Sequence, residues 1–387
     1  MNLWIYLLPA LMDSVVAQTL FVNGIRLAKM GAADWLISGI WSIWSLPYVC
    51  CCLLVPRFMN ENNAARFMLA ACGLIVAQSI VFPFTTGAIS IAALTIVNAI
   101  ATSCFFPAFQ VFMKTTGSRA EQSLAFSTAL YTFAWSTGFA LGPFVSGFIL
   151  ESGPSGWKLS YLLSGLVALA SGAGIWRINR NGHPPAAPAP QTNAAAKAPS
   201  QKAPDLAWLG WVTALASLSV VATIRSLFPA MAEKEIGLPE SRQGLVLFLI
   251  SMAQALTGLA FYRSRTWMYR PSWILFFGII GVLGAAGFAF SRSLGGLCVS
   301  AILSGSYIGS FFFYLVYHSL VHPTRSVRYV SMNEVVVGLT GFLAPASAGI
   351  LSDFSRSYVY PFLIGAVLLA AMILFQVAVH IRRPLPR

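Results

Sequence analysis

Asp13, Arg225 and Glu334 are the residues best able to do chemistry in this chain, because each interrupts a long apolar run. A charge at the centre of a membrane helix costs roughly 2.5–3.5 kcal/mol on insertion scales, so it persists where it binds, carries or pairs something. Asp13 falls about midway along the run 3–22. A carboxylate at that depth suits a coupling proton or a cationic substrate. Arg225, within Ala222-Thr-Ile-Arg225-Ser-Leu-Phe, offers a planar fork of donors that fits a carboxylate or phosphate. The plain alternative is a stem that snorkels to the nearby interface. Glu334, within Ser331-Met-Asn333-Glu334, is a second candidate proton carrier or the partner of a cation. For both acids the plain alternative is a buried carboxyl bonded to a neighbouring helix. Glu121 and His318 fall at the ends of runs and read as interfacial. Uncharged candidates for substrate contact are Asn98, Trp135 and Tyr314, since pockets combine apolar walls with a few polar groups.

Elements that hold such residues must lie in lipid. Hydrophobic residues make up 57% of the 387 positions and charged residues 9%, against about 25% charged in a soluble domain. The net charge of +13 is spread over short loops and forms no stripe or basic arm, which argues against a nucleic-acid partner. The six cysteines lie inside apolar runs and read as small hydrophobes, without metal or disulfide spacing. No nucleotide-binding loop, zinc cluster, serine elbow or haem motif occurs. Neither metal nor cofactor is expected, an enzyme is not indicated, and the energy source is an ion or substrate gradient.

A spanning helix needs about 20 mostly apolar residues. Twelve runs qualify: 3–22, 35–56, 67–86, 89–113, 122–150, 159–178, 206–230, 243–262, 272–290, 294–317, 329–352 and 358–380. The first has no basic leader and reads as a retained helix. With a cytoplasmic N-terminus, 16 Lys and Arg fall inside and 7 outside, the bias that the positive-inside rule requires. An even number of spans then leaves both termini cytoplasmic, in the plasma membrane of a cell such as a bacterium.

Residues 181–205, rich in Pro and Ala, read as a cytoplasmic linker. They divide the chain into 1–180 and 206–387, six helices each. The halves carry matching islands. SVVA occurs at 14–17 and at 219–222, Gly31–Asp34 matches Gly237–Glu240, and Pro143 with Gly147 matches Pro345 with Gly349. Offsets of 202 to 206 residues indicate a duplicated unit in one orientation.

In the fifth run, Gly138-Phe-Ala-Leu-Gly142-Pro143-Phe-Val-Ser146-Gly147 resembles the antiporter motif G-x-x-x-G-P-x-x-G-G of the major facilitator superfamily, with Ser146 in place of a glycine. Small residues four apart let helices approach, and a proline removes a backbone donor. The resemblance implies a gating role for Gly138, Gly142, Pro143 and Gly147. Gly156-Trp157-Lys158 is similar to the opening of the family's sixth helix. The family's loop motif between helices 2 and 3 is degenerate, with Pro56, and Tyr262 in the second copy, where an Asp belongs. The expectation is an all-α membrane protein of two pseudo-symmetric six-helix bundles around a central cavity. By resemblance it is a monomeric, proton-coupled exporter of a small organic molecule, working by alternating access. The rivals are an uptake transporter of an organic anion and a non-transporting scaffold or sensor.

Overall fold

Hydrocarbon offers backbone N–H and C=O groups no partner but each other, so continuous apolar runs of this length close into helices. The computed structural model describes residues 3–60, 62–117, 124–180, 206–261, 270–320 and 326–382. Among them, twelve helices are long and apolar enough to span a membrane. They are α1 (Leu7–Lys29), α2 (Asp34–Leu54), α3 (Ala64–Val81), α4 (Ala88–Gly117), α5 (Leu124–Glu151), α6 (Gly156–Arg180), α7 (Ala207–Met231), α8 (Glu240–Phe261), α9 (Pro271–Phe290), α10 (Leu294–Leu320), α11 (Ser326–Ser355) and α12 (Val359–Arg382). The linker 181–205 lies outside the described residues.

Helices α1–α6 and α7–α12 form two halves, joined along two seams, α5 against α8 and α2 against α11. The seams are built differently. In α2/α11 the hydroxyls of Ser38, Ser42 and Ser45 donate to the carbonyls of Pro345 (2.8 Å), Phe342 (2.6 Å) and Gly338 (3.1 Å). In α5/α8, Gly244 packs beneath the Pro143 carbonyl, and the Phe144 and Phe248 rings lie 4.9 Å apart. Toward the end that carries the short turns at 30–33 and 237–239, one apolar core joins the halves. It combines Phe21, Ile37 and Ile40 with Leu227, Phe228 and Leu247. Toward the opposite end, the core around Met12, Met68, Phe105 and Phe109 belongs to the first half alone.

The duplication visible in the sequence reappears in backbone detail. Gly31 and Gly237 both adopt left-handed conformations, at φ 72° and 67°, which cost glycine little. Each stops its segment so that α2 or α8 can start three residues later.

One boundary departs from the sequence reading. The first span ends not at 22 but at Lys29, so Arg26 is no loop residue. It is buried in α1 and donates to the Thr85 hydroxyl (3.0 Å), the Thr85 carbonyl (2.7 Å) and the Tyr161 hydroxyl (3.2 Å). Its guanidinium also lies 4.0 Å from the centre of the Trp157 ring. Asn23, one turn earlier, donates to the Thr95 hydroxyl on α4 at 2.9 Å and accepts from Tyr161. Helix α1 continues through polar residues because α4, α6 and the α3–α4 turn satisfy each of them. Charged hydrogen bonds are worth about 1.5–3 kcal/mol and a cation–π contact about 0.5–2 kcal/mol. We expect Arg26→Leu to lower stability by about 2–4 kcal/mol, measured by thermal unfolding in detergent. An unchanged midpoint would show that this network adds nothing.

Candidate functional site

Two glycines of α5 decide how near α1 can come to the centre. A Cβ at Gly138 would collide with the Ala10 backbone, and one at Gly142 would stand 2.7 Å from the Gln18 nitrogen. Because only hydrogen occupies these positions, α1 lies backbone-to-backbone on α5. This contact surrounds Asp13, which is 8% exposed and accepts no hydrogen bond among the described residues.

Arg225, on α7, extends over the seam between α5 and α8. Its Nη2 donates to the Ser251 hydroxyl (3.1 Å) and to Gln254 Oε1 (3.0 Å). The guanidinium carbon lies 4.7 Å from the centre of the Phe139 ring, and Nε is buried without a partner. Gln254 Nε2 in turn donates to the Ser136 hydroxyl on α5 at 3.0 Å. A polar relay therefore crosses from α7 through α8 to the other half. Beside it, a cleft is walled by Ala17, Phe21, Trp41, Phe139 and Pro143 of the first half and by Arg225, Leu247 and Ser251 of the second. Asp13 and Arg225 attract each other electrostatically. They form no direct ion pair: those among the described residues join Lys29 to Glu240, Lys234 to Asp34 and Arg292 to Glu235. Of the two, only Arg225 lines the cleft.

The other candidates from the sequence are distributed unevenly. Trp135 reaches across the halves to Phe312, with ring centres 5.6 Å apart. Asn98 is fully buried on α4 and accepts from Trp44 Nε1 at 3.0 Å, while its Nδ2 has no partner. Trp44 stacks on Tyr48 at 4.7 Å. Tyr314 packs inside the second half, with its ring 4.4 Å from His318 and 6.2 Å from His380. His318 is buried there, just beyond the apolar span that ends at Val316. Glu334 lies in α11, but its side chain is outside the described residues. Gly147 belongs to the seam, where it packs on Glu240 and Ser241 of α8.

Ser136, Ser251 and Gln254 escaped the sequence reading. The available signal was the spacing of Ser251 and Gln254, one helical turn apart in an apolar run, on the face that Arg225 meets. Outside the spans, Tyr358 donates to Asp34 Oδ1 at 2.9 Å. Burial, then the Asp34 carboxylate, pushes its phenol well above the usual range, so it remains a donor at physiological pH.

The sequence model of the Major Facilitator Superfamily matches residues 3–327. No curated protein matches. Among solved structures, the nucleoside transporter NupG superposes with a TM-score of 0.72 at 11% identity, covering 99% of this chain and 100% of its own. A bacterial homolog of the human lysosomal transporter Spinster, inward-facing and unoccupied, gives 0.69 at 12% identity, covering 98% and 97%.

Proposed function

The chain belongs to the major facilitator superfamily, and from that premise we propose that it exports a small organic molecule in exchange for protons. The coarser statement follows from the family and the fold: it is an integral multi-pass membrane protein and a secondary transporter working by alternating access, not an enzyme. The finer reading rests on one observation. Arg225 from α7 lines a cleft walled by both halves, and Asp13, buried on α1, lies within electrostatic reach of it. A site between two rocking bundles is where a substrate meets each side in turn, and a lone buried carboxylate there can trade a proton for it. The direction rests on the antiporter-like residues Gly138, Gly142, Pro143 and Gly147. Orientation rests on the charge bias, 16 inside to 6 outside once the buried Arg26 is left out, which favours both termini and the linker in the cytoplasm and the joined end outside. On that reading the described arrangement faces inward. Protein partners are not required, and the chain acts as a monomer with its substrate, protons and lipid.

A second reading draws on a specific feature: Arg225 lines the cleft while its hydrogen-bond partners are neutral. Protonating Asp13 would leave this cation uncompensated, so a proton and an organic anion would load together and move the same way. One experiment separates the two. Thermal stabilisation of the purified protein is screened against organic cations, anions and neutral molecules, and each hit is then followed in proteoliposomes under an imposed pH gradient. Exchange predicts accumulation at least ten times that without a gradient, on the side from which protons leave. Accumulation of an anion on the side that protons enter would replace it with the second reading. Flux indifferent to pH would remove proton coupling altogether.

A further inference from the structure

At the joined end of the molecule, each half closes a helix that begins in the other. Asp353, in the last turn of α11, accepts from the backbone N–H of Asp34 (3.0 Å) and of Trp35 (2.9 Å), the first residues of α2. Glu151, the last residue of α5, accepts from the backbone N–H of Ser241 (2.8 Å) at the start of α8. The two acids are 202 positions apart and the two helix starts are 206 apart, the offsets of the repeat. The device has been built twice.

Its other parts are paired as well. Lys29, ending α1, bonds to Glu240 of α8; Lys234, just beyond α7, bonds to Asp34 of α2 at 2.8 Å and to the Ala32 carbonyl at 2.6 Å. Gly147 and Gly349 precede the acids by one turn and let the foreign helix start come close. A Cβ on them would stand 2.8 Å from the Ser241 Cα and 2.6 Å from the Trp35 Cα, respectively.

A helix start is ordinarily capped by the residue just before it. Here that residue is Ala33 for α2 and Pro239 for α8, and neither side chain can accept a hydrogen bond. The first-turn amides, which carry the positive end of the helix dipole, therefore find a carboxylate only while the halves are together. Parting them would leave amides and acids to water at the same moment.

We propose that Glu151 and Asp353 are gating residues. By capping the opposite half they set how readily this end opens during alternating access. They act on the halves and not on the substrate, so the inference is independent of proton coupling and of direction. The α2/α11 copy is the stronger, because Asp34 also accepts from the Ser352 hydroxyl (2.8 Å) and from Tyr358. Asp353 should therefore matter more than Glu151.

The test needs no substrate. Ala348 lies buried in the core that joins the halves. In the full-length protein carrying Ala348→Cys, the rate of N-ethylmaleimide labelling at that position, resolved by peptide mass spectrometry, reads how often the end opens. A cap is worth enough that we expect Asp353→Ala to raise the rate about tenfold and Glu151→Ala about threefold. With halves moving as rigid bodies, the double variant should approach the product, roughly thirtyfold. Asp353→Glu, which retains the carboxylate, should remain near the parent. The native Cys72, buried inside the first half, serves as the internal control and should not change. Unchanged labelling at position 348 would overturn the proposal, and so would a parallel rise at Cys72, which would mean general loosening. Ile37→Cys on α2, in the same joined core, provides the same reading if Ala348→Cys fails to fold.

Discussion

Replacing Gly142 with leucine will reduce transport at least a hundredfold while the chain still inserts with all twelve helices. A Cβ at this position meets backbone, the Ser14 carbonyl oxygen and the Gln18 nitrogen at 2.7 Å, and then the Ala17 Cβ at 3.2 Å. Backbone cannot rotate aside as a side chain can, so the whole of α1 must retreat. Overpacking of this kind costs typically about 1–3 kcal/mol, which a helix bundle survives. The functional loss is larger because Ser14 and Ala17 flank Asp13 and the cleft wall on the same helix. Moving a binding group by about 1 Å can cost a hundredfold. Gly142→Ala should fall between parent and leucine variant. The measurement is flux of the substrate returned by the stabilisation screen, beside a gel-filtration profile that reports folding. Normal flux with a normal profile would disconnect the α1–α5 contact from the central site.

The second large effect is expected from Asp13→Asn. The amide keeps shape and volume but cannot take up and release a proton. Substrate exchange without a gradient should continue within about threefold of the parent, while gradient-driven accumulation should fall to a ratio near one. The reason lies in the surroundings of Asp13: a nearly buried carboxylate, no hydrogen-bond donor among the described residues, and the charge of Arg225 within electrostatic reach. A charge so placed costs roughly 2.5–3.5 kcal/mol. Loading and unloading a proton there therefore changes the energy of the closed form, as a coupling group must. Should Asp13→Asn accumulate substrate like the parent, coupling would pass to Glu334. Should Glu334→Gln do so too, coupling through either carboxylate would be excluded.

Much of the architecture was legible in the sequence because the membrane leaves few alternatives. Runs of about 20 apolar residues must become helices, and all twelve did. The repeat could be seen because it is tied to positions of little tolerance: Gly31 and Gly237 at positive φ, and Gly147 and Gly349 beneath foreign backbone. Charged and polar groups were harder to place, since sequence shows a side chain but not what satisfies it. Arg26 reads as a loop residue until Thr85 and Tyr161 converge on it from 59 and 135 positions away. Likewise, Gln254 gains meaning only from Ser136 on the other half, and Asp353 and Glu151 look like ordinary solvated charges at helix ends. The Asp13 and Arg225 candidates were found by depth alone, because depth in a membrane is itself a physical constraint.

The paired closure has an evolutionary corollary. When Gly147 of the first half touches the start of α8, and Gly349 of the second touches the start of α2, the contact has the reciprocity of an isologous interface, in which patch i meets patch j and patch j meets patch i. That is the geometry of two identical subunits facing each other across a two-fold axis, now preserved within one polypeptide. An ancestral unit of six helices, assembled as a homodimer, would have acquired both closures from a single set of residues. Fusion of two such copies would free them to diverge. The two seams are now edges of unequal character around one path, a row of serine hydroxyls in one and a glycine and aromatic contact in the other.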